Sequence, residues 1–192
     1  MEAAVAIVVA YLLGSVDFGV IVPRLLGVDI YQHGSGNPGT SNVFRTLGKK
    51  AAAVVLVGDV AKGLLAAAIG AGWVSVPVGF ACATAAVVGH TFPVWHGFRG
   101  GRGVATALGA AIWLEPVFGL VTAAAWGGLV AATKVASVAS LAAMAVYVPG
   151  FVLAGHRGWS LAWAAATAAI VVARHAPNIR RMIRQDERRI TG

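Results

Sequence analysis

Gly34-Ser35-Gly36-Asn37-Pro38-Gly39-Thr40-Ser41-Asn42, followed by Arg45, forms a polar, glycine-rich stretch between two apolar runs, 3–24 and 51–71. Its glycines let successive backbone N–H groups converge on an anion, and Ser35, Thr40, Ser41 and Asn42 add side-chain donors. A guanidinium at position 45 can then grip two phosphate oxygens. No acidic residue between Asp29 and Asp59 opposes that charge. A flexible connector is the alternative, but turning the chain needs neither Asn37 and Asn42 nor three glycines. The Lys-Ser/Thr ending of a nucleotide P-loop is missing, so a nucleoside triphosphate is not indicated.

The rest of the composition says what this loop is embedded in. Apolar residues make up 58% of the 192 and charged residues 11%, with a mean hydropathy of +0.79. Soluble domains run at roughly 45–50% apolar and about 25% charged, so the sequence reads as an all-α integral membrane protein forming one membrane-embedded domain over 1–192. The first apolar run follows the acidic Glu2 and carries neither a basic leader nor a clear cleavage signal, and it reads as a retained helix. The formal charge of +8 is not gathered into a soluble basic domain, which argues against a nucleic-acid partner. Cys82 is the only cysteine, which excludes an intrachain disulfide and most thiolate metal sites and leaves it a packing role.

Seven apolar segments can be drawn: 3–24, 51–71, 74–92, 104–114, 117–133, 137–154 and 159–173. The Glu115-Pro116 pair divides the fourth from the fifth, because proline suits the first turn of a helix and about 30 residues is too long for an ordinary crossing. Seven crossings place every Lys and Arg except Lys62 and Arg157 on the side of the C-terminus, out of 15 in all. By the positive-inside rule that side is cytoplasmic and the N-terminus lies outside. The longer polar loops, 25–50 and 93–103, then face the cytoplasm, while 72–73, 115–116 and 155–158 lie outside. The many small residues suit close helix packing in a compact bundle.

Other polar groups cluster on the cytoplasmic side. Gly89-His90 leads through Pro93 to Arg99-Gly100-Gly101-Arg102-Gly103, and the helix expected from Val104 presents its first N–H groups beside Arg102. Trp95 and Phe98 read as interfacial anchors. Arg174-His175 and Asn178 form a third cluster, and the basic tail from Arg180 to Arg189 has anchoring as its alternative role. Ser137 and Ser140 open the sixth segment, where they can cap N–H groups or contact a ligand. Asp59 and Lys62 stand one helical turn apart inside the second segment and are expected to pair or turn inward, because an isolated charge there is expensive. Asp17 needs a partner that the sequence does not name. No zinc ligand set, serine triad or pair of general-acid carboxylates is present. What converges is cationic and hydrogen-bond-donating, suited to phosphate-bearing molecules.

Gly34-Ser35-Gly36-Asn37 with Gly39, Asn42 and Arg45, Gly89-His90 with Gly100-Gly101-Arg102-Gly103-Val104-Ala105-Thr106, and Arg174-His175 with Asn178-Ile179 and Glu187 resemble the three cytoplasmic motifs of the bacterial acyl-phosphate:glycerol-3-phosphate acyltransferase family. Leu13-Gly14-Ser15 with Phe18-Gly19, and Asp59 with Lys62-Gly63, extend the likeness over about residues 11–187. The resemblance implies a seven-helix inner-membrane enzyme that makes lysophosphatidic acid, the first acylation step of phospholipid synthesis. Its implied donor is acyl phosphate, rather than acyl-CoA or acyl-carrier protein. It implies that Ser35 and His175 are catalytic, and that Gly34, Gly36, Asn37, Gly39 and Asn42 join them in holding acyl phosphate. Arg45, Arg102, Ser137 and Asn178 are implied to hold glycerol 3-phosphate. His90, Arg99, Gly100, Gly101, Gly103, Asp59, Lys62 and Glu187 are implied supporting residues. Neither cofactor nor metal is expected, and no obligate protein partner.

Several residues depart from the family's usual pattern. Thr40-Ser41 replaces Ala-Thr, Arg99 and Arg102 replace lysines, Asp17 a common proline and Gln185 a common glycine. The proton acceptor is left between His175 and the substrate's own phosphate. Two rival functions stand beside the acyltransferase. A transporter of phosphorylated solutes would use the charges at Asp17, Asp59 and Lys62, but the cations gather on one side only. A scaffold for anionic lipid would use the basic tail and leave both glycine loops idle.

Overall fold

In a computed structural model describing residues 1–190, nine α-helices and two short 3-10 turns form the regular structure. The helices are α1 (Glu2–Gly14), α2 (Phe18–Leu25), α3 (Thr40–Trp73), α4 (Val76–Thr91), α5 (Val104–Leu114), α6 (Pro116–Thr133), α7 (Ala136–Leu153), α8 (Trp159–Arg174) and α9 (Ala176–Ile183). Five stretches, Glu2–Leu25, Thr40–Trp73, Val76–His96, Pro116–Thr133 and Ala136–Leu153, are long and apolar enough to cross a membrane. Val104–Leu114 and Trp159–Arg174 are shorter apolar helices.

Two boundaries differ from the sequence reading. The first segment is two helices. Asp17 takes an extended conformation, and its carboxylate accepts from the Gly19 N–H at 3.0 Å, capping α2. The loop expected over 25–50 ends at Gly39, so Arg45 and the lysines at 49 and 50 are helical. Hydropathy is blind to this polar first stretch of α3. A break at Gly48 (φ 79°, ψ −175°) separates it from the apolar run that follows.

α3 and α4 run through the centre, in contact with α1 and α5. Contact is made backbone to backbone through small residues, as packing between membrane helices requires. A Cβ on Gly63 would lie 1.9 Å from the Thr106 carbonyl oxygen of α5, and one on Gly109 would lie 2.0 Å from that of Val60. α6 is peripheral: only Gly119 and Thr122 are buried, while Val117, Leu120 and Val121 point outward, toward lipid in a bilayer. At the opposite end from the glycine loops, Phe80, Phe118, Tyr147 and Phe151 meet edge to face around Phe151, with ring centroids 4.8–5.2 Å away. His156 Nε2 lies 2.8 Å from Glu115 Oε1 there.

Candidate active site

Three helices begin on one cavity. Gly39, Gly103 and Val135 are the N-caps of α3, α5 and α7, and none of these starts has a side-chain cap. Thr40 and Ser41, Val104 and Ala105, and Ala136 and Ser137 line an open cavity of about 650 Å³. The first N–H groups of a helix lack intrahelical acceptors and carry the positive end of its dipole, so three anion-attracting termini converge. Ser35, Asn37, Asn42, Arg45, Arg102 and His175 line the same space, which gathers residues from all three sequence clusters. A wider cavity of about 1110 Å³ adjoins it, sharing Ser35, Asn37 and Arg102, and is walled by Arg99, Arg174, Arg181 and Arg188.

Asn42 braces the first loop. Its Nδ2 donates to the His33 carbonyl at 2.9 Å, and its Oδ1 accepts from the Ser35 N–H at 2.9 Å. Gly34, at φ 59°, passes so close to that amide that a Cβ would lie 2.2 Å from Oδ1. Both ends of Asn42 and the Ser35 N–H are therefore committed within the protein, leaving the Ser35 hydroxyl and Asn37 as the open groups of this loop. The Tyr31 hydroxyl donates to the Arg99 carbonyl, and the Arg99 guanidinium sits 4.6 Å from the Tyr31 ring centroid, joining the first loop to the second. The second loop folds back on the end of α4: Gly101 N–H donates to the His90 carbonyl at 3.0 Å, and Arg174 Nη2 to that of Gly100 at 3.2 Å.

His175 is buried in the break between α8 and α9. Its Nδ1 lies 2.7 Å from the Val171 carbonyl oxygen, an acceptor only, so the ring donates there and Nε2 carries the lone pair. Burial, reinforced by Arg102 and Arg174, pushes its pKa down to about 4, and the ring is neutral at pH 7. Burial and the neighbouring Arg181 lower the Arg102 guanidinium to about 10, which leaves it charged. No carboxylate pairs with Arg102 among the described residues. The Ser137 hydroxyl is buried without a hydrogen-bond partner among the described residues, a donor suited to a ligand.

Asn178 does not line either cavity. Its Nδ2 donates to Glu187 Oε1 at 2.7 Å, and Arg181 Nε donates to Glu187 Oε2 at 3.0 Å. The segment beyond α9 then crosses the cavity mouth, with Arg45 Nη1 donating to the Arg189 carbonyl at 3.2 Å and Ile190 N–H to that of Lys134 at 2.7 Å.

Below the loops, Asp17, Asp59, Lys62 and His90 are all buried. Lys62 Nζ meets three acceptors: Asp59 Oδ1 at 2.8 Å, the Val16 carbonyl at 2.9 Å and His90 Nδ1 at 2.8 Å. The expected Asp59–Lys62 pairing is therefore present and extends to His90. Asp17, Asp59 and His90 offer ligand atoms within 4.8 Å of one another, but the Lys62 ammonium already supplies the cation bonded to two of them.

Sequence reading missed the start of α3 as a cavity wall, because its polar first turns were read as loop. It also missed Trp126, whose Nε1 donates to Ser140 Oγ at 3.1 Å at the cavity side. The family model described as glycerol-3-phosphate acyltransferase matches residues 4–185. This chain belongs to the glycerol-3-phosphate acyltransferase family. A glycerol-3-phosphate acyltransferase of Anaeromyxobacter sp. (strain Fw109-5) is 44% identical over 196 residues, covering 97% of this chain and 95% of the relative. Another, of Neisseria meningitidis serogroup A, is 43% identical over 193 residues, covering 96% of each. The glycerol 3-phosphate form of PlsY (YgiH), an integral membrane glycerol 3-phosphate acyltransferase, superposes with a TM-score of 0.94 at 36% identity, covering 98% of this chain and 96% of that one. Its lysophosphatidic acid form gives 0.91 at the same identity, with 98% and 95% covered.

Two departures from the usual pattern of the acyltransferase family now have local accounts. Asp17 replaces a proline's fixed backbone with a side-chain cap at the start of α2. Gln185 stands at φ 61°, a conformation for which glycine is the unstrained choice.

Proposed function

We propose that the protein transfers an acyl group from acyl phosphate to the primary hydroxyl of sn-glycerol 3-phosphate, giving 1-acyl-glycerol 3-phosphate (lysophosphatidic acid) and inorganic phosphate. The observation that carries this reading is the cavity where three uncapped helix starts meet Arg45 and Arg102, with cationic room for two phosphates. An apolar groove beside it, lined by Phe44, Ala53 and Val130, shares Thr40, Ser41, Leu56 and Trp126 with the cavity and suits the acyl chain. The donor phosphate rests against the Ser35 hydroxyl, Asn37 and the start of α3. Glycerol 3-phosphate lies by Arg45, Arg102 and Ser137, with Asn178 acting through Glu187 to hold the α9 end.

The acceptor hydroxyl attacks the acyl carbon, the carbon–oxygen bond to phosphate breaks, and the hydroxyl proton leaves on inorganic phosphate. A histidine near pKa 4 is a weak base, so the phosphate takes the proton and His175 keeps its Nε2 lone pair as a hydrogen-bond acceptor at the acyl-phosphate side of the site. The mixed anhydride already carries the driving force; positioning and charge neutralisation supply the rate. We place the chain in the bacterial inner membrane with seven crossings and the site on the cytoplasmic side. Purified protein given acyl phosphate is expected to release phosphate and form acylated product only when glycerol 3-phosphate is added. Product formed from acyl-CoA but not from acyl phosphate would overturn the donor assignment.

A further inference from the structure

We infer that His90 is a catalytic residue, its Nε2–H donating to the acyl carbonyl oxygen as negative charge develops there. The inference rests on the acyl-phosphate reading above. The Lys62 ammonium has three protons and three neighbours, of which Asp59 Oδ1 and the Val16 carbonyl can only accept. Its remaining proton goes to His90 Nδ1 at 2.8 Å, which fixes the imidazole proton on Nε2. A ring whose Nδ1 accepts from an ammonium is polarised, and its opposite N–H is a stronger donor.

His90 lines the cavity, and Nε2 makes no hydrogen bond among the described residues. Gly101 passes against the ring, and any side chain there would close over Nε2, since a Cβ would stand 2.2 Å from it. Asp59 also lines this part of the cavity. Its charge is already matched by the Lys62 ammonium, so the arginines and helix starts suit the phosphates and this charge-paired floor suits the uncharged carbonyl. As the hydroxyl oxygen bonds to the acyl carbon, the carbonyl π pair moves onto oxygen, where the His90 N–H meets it. The pair then returns and breaks the bond to phosphate. The imidazole keeps its proton throughout.

The test uses the full chain in detergent and a non-hydrolysable acyl phosphonate carrying a ¹³C-labelled carbonyl. On the wild type, the carbonyl stretch of the bound analogue is expected at lower frequency than in detergent alone. In His90→Leu the band is expected to return upward, with kcat down about 100-fold, the order seen when one such donor is removed, and KM for glycerol 3-phosphate little changed. His90→Gln keeps an N–H donor and is expected to recover part of both. An unshifted band in the wild type, or a folded His90→Leu with wild-type kcat, would overturn the role. The wild-type spectrum decides the question even where His90→Leu does not fold. Absence of acyl transfer from acyl phosphate by the wild type would instead bring down the donor assignment.

Discussion

At the scale of single residues, the site depends on which atoms are already taken. The cations Arg45 and Arg102 and the hydroxyl of Ser137 were legible in the sequence, because positive charge and free donors suit an anion wherever the chain places them. The bracing role of Asn42 was not, since its type suits a ligand contact as well as a loop brace, and only its bonds to His33 and Ser35 reveal the brace. His175 was legible as a candidate site residue, but the lone pair at Nε2 was not, since it depends on the bond to Val171. Burial holds its pKa down at about 4, against an ordinary 6.5. The folded state thus resists protonation: the stability tied to the neutral ring is present above 6.5 and is lost as pH falls toward 4. Thermal midpoints in detergent are expected to drop over that window, and His175→Asn is expected to flatten the drop. An identical slope in the variant would show that other groups cause it.

At the scale of elements, the apolar helices α4 to α8 were placed within a few residues by their hydropathy and by the prolines at 77 and 116. The start of α3 was hidden, because Thr40 to Asn42, Arg45, Lys49 and Lys50 are polar and the few apolar residues it buries or packs, Val43, Phe44 and Leu47, are too sparse to register as an apolar run. Its importance comes from where it ends up, beside the starts of α5 and α7. That convergence depends on close helix approach, and Gly63 shows how little slack exists. With a Cβ only 1.9 Å from the Thr106 carbonyl, Gly63→Val must push α3 from α5. Overpacking of this kind costs about 1–3 kcal/mol. A lower melting midpoint together with lost acyl transfer is expected, whereas an unchanged midpoint would mean that the two helices separate easily.

At the scale of the whole molecule, the cations gather at one end and the aromatic cluster with Glu115 and His156 at the other. The proposed orientation follows from that asymmetry and is open to direct measurement. A membrane-impermeant thiol reagent applied to intact cells freed of their outer layers is expected to label a cysteine placed at 157 and to spare one placed at 134. The reverse pattern would invert the topology. Cys82 is buried and does not interfere. One buried feature constrains the molecule's history as well as its shape. Asp59→Asn or Lys62→Met alone strands a charge in the interior, at a typical cost of about 3–5 kcal/mol, while the double variant strands none between them. A double-mutant cycle on melting midpoints is expected to show the pair losing less than the sum of the singles. Asp59, Lys62 and the histidine they orient then form an epistatic unit: drift at any one must cross a fitness valley unless a compensating change arrives with it.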